Sequence, residues 1–260
     1  MATAALITGA STGIGYELSK SFAADRHNLI LIARQEAKLR QVAAELSGQF
    51  GISAKVIVAD LAKPDAPQKI TEEIRKDSLQ VDYLVNNAGF GLGGKFSETD
   101  LAVELEMMQV NMAALVHLTK LFLPAMVARG SGKIMNVAST AAFQPGPLMA
   151  VYYATKAFVL SFTEAIANEL AGTGVTVTAL CPGPTQSEFQ QRAHIENTRL
   201  IKSKFMGMMT SEAVAQIGYR GFMQGKRLVI PGLINKVGVQ SGRLSPRRVA
   251  TQVARMLQES

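Results

Sequence analysis

One cysteine, Cys181, and no tryptophan stand among 260 residues. A single thiol closes no internal disulfide, so the chain does not read as a disulfide-built secreted domain. The histidines are three, His27, His117 and His194, and none has the spacing of a metal ligand set, so no metal is expected. No apolar run approaches the roughly 18 residues that a membrane-spanning helix needs, and no membrane span is expected. Residues 1–6 are apolar but lack a basic flank and run directly into glycines. They read as a strand and not as a signal peptide, which points to a cytoplasmic protein. Acid is scarce toward the end, where residues 199–260 hold 11 Lys/Arg against two Glu and no Asp, in a chain of net charge +7. Such a stretch can attract nucleic acid, acidic lipid or an anionic substrate. Its basic residues are not dense and no aromatics interleave for base stacking, so a solvated surface and no nucleic-acid partner are expected.

What is present is a rhythm. Apolar residues make up 48% of the chain, enough for a substantial core. Short apolar runs at 4–8, 29–33, 55–59, 83–86, 133–137, 175–180 and 227–230 predict strands. Helical periods lie between them. Leu39, Val42 and Leu46 make one stripe; Leu101, Leu105, Met108, Met112, Leu115 and Phe122 a second; Phe158, Phe162, Ile166 and Leu170 a third. Ser97 with Asp100 marks a helix start, and Ser245-Pro246 marks another. Near-continuous apolar strands alternating with helices predict a mostly parallel sheet of seven strands, covered by helices on both faces. Right-handed crossovers make it a single doubly wound α/β domain over residues 1–260, with ligands at the C-terminal ends of the strands. The stretch 186–226 breaks the rhythm. It carries Phe189, Phe205, Met206, Met208 and Met209 and reads as a lid inserted near the ligand edge.

After the first strand comes Thr8-Gly9-Ala10-Ser11-Thr12-Gly13-Ile14-Gly15. Glycines at 9, 13 and 15 allow a tight turn and close approach of the backbone to a pyrophosphate, which the next helix meets with its free amides and positive end. Placed between a strand and a helix, the motif predicts a dinucleotide site of the Rossmann type, using Gly9, Ser11, Thr12, Gly13, Ile14 and Gly15. The second strand ends at Ala33-Arg34. An acid near here would accept from a ribose 2′-hydroxyl, as NAD sites prefer; Ala33 cannot, whereas Arg34 can pair with a 2′-phosphate. NADP is therefore expected over NAD, although a surface arginine at a strand end is also ordinary. Asp60, beside Leu61, can accept from the adenine amino group or serve as a turn acid before Pro64.

Further motifs follow in order: Asn86-Asn87-Ala88-Gly89, Asn111, Ser139, Tyr152-Tyr153-Ala154-Thr155-Lys156, and Pro182-Gly183-Pro184-Thr185. Together with the glycine motif the chain resembles the short-chain dehydrogenase/reductase family. The stretch 145–156 is most similar to its branch of 3-ketoacyl-CoA reductases and hydroxysteroid dehydrogenases. The resemblance implies hydride transfer between a nicotinamide and a carbonyl or alcohol. Such a reaction leaves an oxyanion to be protonated, and a tyrosine serves if its pKa falls from about 10 toward 7, a cost of about 4 kcal/mol. A lysine about 4 Å away at an effective dielectric of 20 supplies about that much. Lys156 follows Tyr152 by four residues and Tyr153 by three, so helical spacing admits either. The family's Tyr-x-x-x-Lys pattern selects Tyr152 and leaves Tyr153 to packing or the rim. Ser139, after the fifth strand, can hold the substrate oxygen, with Thr140 as its local competitor. The resemblance also implies that Asn111 orders a water beside Lys156 as a proton relay, and that Lys156 fixes the nicotinamide ribose. Asn87, Ala88 and Gly89 are expected at the adenosine ribose, Pro182 and Gly183 at the nicotinamide, and Thr185 at its carboxamide or at the phosphate. Cys181 reads as a small core residue.

The substrate side is read from Phe143, Leu148, Met149, Phe189, Phe205, Met206, Met208 and Met209, which could line an apolar pocket for a lipophilic ketone or 3-oxoacyl compound. Helices at 101–123 and 152–170 are those that the family commonly pairs, so a homodimer or homotetramer is expected. The rival is a regulator that binds NADP(H) without turnover, which need not retain Asn111, Ser139, Tyr152 and Lys156 together.

Overall fold

The structure is a computed structural model that describes residues 4–202 and 208–259. Phe205 and Met206 lie outside the described residues. Seven strands form one sheet: β1 (Ala4–Thr8), β2 (Asn28–Ala33), β3 (Ala54–Val58), β4 (Val81–Asn86), β5 (Gly132–Val137), β6 (Val175–Leu180) and, last in the chain, β9 (Leu228–Val229). Their order is β3-β2-β1-β4-β5-β6-β9, and every pairing is parallel. Strand order reverses between β1 and β4, which is where a doubly wound sheet opens a ligand crevice. Two short strands, β7 (Thr185–Gln186) and β8 (Met209–Thr210), pair outside the main sheet.

Helices cover both faces. They are α1 (Gly13–Ala24), α2 (Glu36–Phe50), α3 (Ala66–Lys76), α4 (Leu101–Met108), α5 (Ala114–Ala128), α6 (Ala150–Glu169), α7 (Phe189–Arg192), α8 (Arg199–Lys202), α9 (Ser211–Met223), α10 (Leu233–Leu244) and α11 (Arg247–Gln258). Local chemistry sets several ends. Gly51 takes φ 65° to close α2, as left-handed C-caps do. Asp100 accepts from the Ala102 N–H at 2.7 Å to open α4, and Thr210 accepts from the Ala213 N–H at 3.1 Å to open α9. Pro246, not Ser245, immediately precedes α11. One core layer packs α1, α2 and α9 on the sheet around Phe22, Leu31, Leu39 and Phe222; the other packs α3 and α5 around Leu6, Ile30, Ile70 and Leu118.

Two expectations about this frame change. The stripe from Leu101 to Phe122 is not one face. Leu101, Leu105 and Met108 are exposed, while Glu104, Met107 and Asn111 are buried in their place. A wide π turn, Gln109–Ala113, joins α4 to α5, and Leu115, Leu118, Phe122 and Met126 are buried beyond it. The whole stretch Leu101–Ala128 has the length and hydropathy of a membrane crossing, a test that core helices also pass, and its second half is committed to the core. The stretch 186–226 is also divided. Its second part is α9, whose Val214, Ala215, Tyr219 and Phe222 are buried, with Phe22 and Tyr219 ring centroids 4.8 Å apart. Among its described residues, Phe189, Arg192, Ile195, Leu200 and Ile201 remain beside the ligand edge.

Candidate active site

The glycine turn is built by close approach. A Cβ on Gly15 would stand 2.2 Å from the Gly9 carbonyl oxygen, and one on Gly9, at φ 65°, would stand 2.9 Å from Asn87 Nδ2. No side chain fits either place. Asn87 Nδ2 donates to the Thr8 carbonyl at 2.9 Å, and the Asn87 and Ala88 N–H groups both donate to Thr8 Oγ1 at 3.0 Å. The Asn-Ala-Gly motif after β4 therefore braces the turn after β1. Thr12 precedes α1 with an extended backbone and no side-chain cap, which leaves the first amides of α1 without an intrahelical acceptor.

Below the reversal point lies a buried polar chain. Asn86 Nδ2 donates to Asn136 Oδ1 at 2.9 Å and to Thr119 Oγ1 at 3.1 Å, and Asn136 Nδ2 donates to Thr163 Oγ1 at 3.0 Å. It ties β4 and β5 to α5 and α6, so the two helices that flank the site cannot slide on the sheet independently.

A cleft of about 890 Å³ runs over the strand ends. Of the nineteen residues predicted for the site, all but Asn111 line it. The glycine turn, Arg34, Asp60 and Leu61 form one end; Ser139, Tyr152, Lys156, Pro182, Gly183 and Thr185 form the other. Arg34 faces Glu106 on α4 at 3.5 Å, with 60% of its side chain exposed. Asp60 Oδ1 accepts from the Ala62 N–H at 3.1 Å, so the turn role is filled while the residue still borders the cleft. Thr185 Oγ1 donates to the Gly183 carbonyl at 2.9 Å and closes that turn.

Tyr152 and Tyr153, equivalent in spacing, are separated by their surroundings. Tyr153 is held by Gln258 of α11, whose Nε2 donates to its hydroxyl at 2.9 Å. Tyr152 lies against Phe189 of α7, ring centroids 5.3 Å apart, and its phenol is hydrogen-bonded by Ser139. Ser139 Oγ also accepts from the Ala141 N–H at 3.1 Å. The lowering of the Tyr152 pKa expected from Lys156 is reversed: burial holds the phenol well above its ordinary value, against the Ser139 hydrogen bond, which lowers it. The Lys156 ammonium sits 5.8 Å from the Tyr152 ring centroid and donates to the Val137 carbonyl at 2.9 Å. Burial pulls Lys156 itself down to about 8. Cys181, buried beneath, is pushed up to about 12 by burial, as an inert core thiol should be.

Asn111 sits in the π turn behind Gly89. Its Oδ1 accepts from the Phe90 N–H at 3.1 Å, and its Nδ2 donates to the Phe90 carbonyl and to Thr155 Oγ1, each at 3.0 Å. It clamps the loop after β4 to α6. A Cβ on Gly89 would meet Asn111 Oδ1 at 2.9 Å and Lys156 Nζ at 3.3 Å, so these groups converge on one point.

On the substrate side Phe143, Met149 and Phe189 line the cleft; Leu148, Met208 and Met209 do not. Leu148 instead takes φ 66° in the loop before α6. Sequence reasoning missed the C-terminal wall, where Ile234, Val239, Val249, Val253, Leu257 and Gln258 complete the cleft. The 3.6-residue period of α11 was a usable signal; its place over Tyr153, more than a hundred residues away in the chain, was not.

The long cleft, the glycine cradle and the free amides of α1 fit a dinucleotide, with its pyrophosphate at the turn and its reactive ring toward Tyr152. Residues 3–198 match the family described as short chain dehydrogenase. The ketoacyl reductase HetN of Nostoc sp. is 31% identical over 210 residues, which are 81% of this chain and 71% of that protein. A very-long-chain 3-oxoacyl-CoA reductase of Phaeosphaeria nodorum is 37% identical over 179 residues, 67% of this chain and 52% of that longer protein. A solved short-chain dehydrogenase from Sphingobium yanoikuyae in complex with NADPH superposes with a TM-score of 0.82 at 32% identity, covering 90% of this chain and 89% of that one. By its cleft, its sheet order and its match over residues 3–198, the chain belongs to the short-chain dehydrogenase family.

Proposed function

We propose that this chain is an NADP-dependent oxidoreductase that interconverts a lipophilic ketone or 3-oxoacyl compound with its secondary alcohol. The observation that carries the reading is one cleft joining the glycine turn and open α1 amides to Ser139, Tyr152 and Lys156. When bound, the nicotinamide supplies the hydride and, in its oxidised form, a positive charge near the phenol. Ser139 holds the substrate oxygen where negative charge develops. Tyr152 gives that oxygen its proton. Its burial keeps the phenol protonated in the free protein, which is the state that reduction consumes. Lys156, on the same helix, places its ammonium 5.8 Å from the centroid of the phenol's ring. Asn111 clamps Phe90 and Thr155 through its side chain, and in this reading it also orders the relay water beside Lys156 that the resemblance implied.

Arg34 supports NADP. Its exposed ion pair with Glu106 is long and worth at most about 1 kcal/mol, so a 2′-phosphate displaces it readily. Ala33 puts no carboxylate beside the ribose. The apolar wall from Phe143, Met149, Phe189, Val249 and Val253 supports a lipophilic substrate. The exposed Leu101, Leu105, Met108 and Phe158, on the packed pair α4 and α6, support a homodimer through that face.

Four measurements test this reading. Tyr152→Phe lowers kcat for ketone reduction by about a hundredfold or more, with NADPH affinity retained; NADPH oxidation followed with a panel of aliphatic, aromatic, steroid and 3-oxoacyl ketones reads it. Unchanged turnover in the variant removes Tyr152 as the acid, and NADPH binding with no turnover of any ketone returns the regulator. Lys156 is charged below its pKa of about 8 and neutral above it. The kcat/KM for NADPH therefore falls as pH rises through about 8, and a flat profile up to pH ~9.5 sinks the assignment. Arg34→Asp weakens NADPH at least about tenfold and leaves NADH unharmed; a retained NADPH preference defeats the phosphate contact. Light scattering at micromolar protein gives a dimeric mass, or a larger even one, and a monomer overturns the proposed interface.

A further inference from the structure

Each of the last two helices carries an apolar stripe that the fold leaves bare. On α10 only Val239 is buried. At 100° per residue Leu233, Val237 and Leu244 fall within about 40° of one line, and they are 77%, 58% and 87% exposed. Lys236 and Arg243 lie together along one side of that line. On α11 Val249, Val253 and Met256 form a second stripe, with Arg248 and Arg255 together on one side of it, and all three are close to half exposed. Seven of the fifteen large apolar side chains described as exposed lie on these two helices.

The rim of this surface has one sign. Between residues 233 and 258 stand Lys236, Arg243, Arg247, Arg248 and Arg255 and no acid. Arg255 is paired with Glu259 at 3.1 Å; the other four form no ion pair among the described residues. Ile234, Val249 and Val253 are both exposed and part of the cleft wall, so the bare surface borders the cleft opening.

These features select a partner by charge. A second copy would bring one basic rim against another, which like-charge repulsion disfavours. Nucleic acid would use stacking, and residues 233–258 hold no aromatic side chain. Exposed Leu and Val stripes edged with Lys and Arg suit the boundary between anionic headgroups and acyl chains. We propose that α10 and α11 form a peripheral docking surface for an anionic lipid bilayer, which holds the cleft opening at the membrane interface. The docking stands without the proposed chemistry; only its use, loading a lipophilic ketone from the bilayer, rests on that reading.

Co-sedimentation with two kinds of vesicle tests it: phosphatidylcholine alone, and phosphatidylcholine mixed with phosphatidylglycerol. The full chain binds the mixed vesicles at least about tenfold more tightly, and salt weakens the binding. Arg243→Gln/Arg247→Gln/Arg248→Gln abolishes the preference. Leu233→Ser/Val237→Ser/Leu244→Ser lowers binding about tenfold with its charge intact. Both variants keep the parent Tm, which separates lost docking from lost folding. Equal binding to the two vesicles, no binding to either, or a charge-neutralised variant that binds like the parent overturns the proposal. So does an apolar-stripe variant whose mass drops from dimer to monomer, since a second copy would then be the occupant. Vesicle binding with no ketone turnover leaves the docking intact and removes the chemistry instead.

Discussion

The contact between Thr8 and Asn87 governs the rest of the molecule. Strand order reverses between β1 and β4, so the loops that follow these strands must diverge and leave a crevice. A crevice between two unsupported loops would not hold a fixed shape. Here Thr8 Oγ1 takes two amides from Asn87 and Ala88, and Asn87 returns its own amide to the Thr8 carbonyl. The turn can come this close only because residues 9 and 15 lack a Cβ. The glycines and the asparagine are thus one device, although about seventy residues separate them. With the turn fixed, the open end of α1 is fixed too, and with it the anion-binding end of the cleft.

The other end is held by a different principle. Asn86, Asn136, Thr119 and Thr163 link the central strands to α5 and α6 through hydrogen bonds out of contact with water. A half-satisfied chain of this kind is costly, so it favours one arrangement of the two helices. The π turn adds to this. It holds Asn111, which is buried on the same helical face as Glu104 and Met107. Leu101, Leu105 and Met108 stand beside that face on α4 and are bare.

Much of this was legible in the chain. Strand positions came within one or two residues of those found, because apolar runs bounded by turns fit only a sheet covered on both faces. The cofactor turn was legible because its need for missing Cβ atoms shows as glycine. Tyr152 and Lys156 were legible as a pair, but helical spacing alone did not separate Tyr152 from Tyr153. The error over Leu101 to Phe122 was one of phase: Glu104, Met107, Asn111, Leu115, Leu118 and Phe122 are the buried face, and it runs through a carboxylate and an asparagine that an apolar stripe passes over. The reading of 186–226 as a single insertion failed because α9 contacts α1 through residues that look no more apolar than a lid's would.

The sequence by itself determined the parallel sheet, the dinucleotide turn and the residue types available for proton transfer, since each depends on periodicity or on local backbone freedom. The tertiary structure decided what those residues experience. It gave Gln258 to Tyr153 and Ser139 to Tyr152, and it turned Lys156 to the Val137 carbonyl. It also reversed the direction in which the Tyr152 pKa moves, because burial is a property of the assembled cleft and not of spacing. The C-terminal wall was likewise a tertiary decision: nothing local to α10 or α11 says that they frame an opening formed by residues far earlier in the chain.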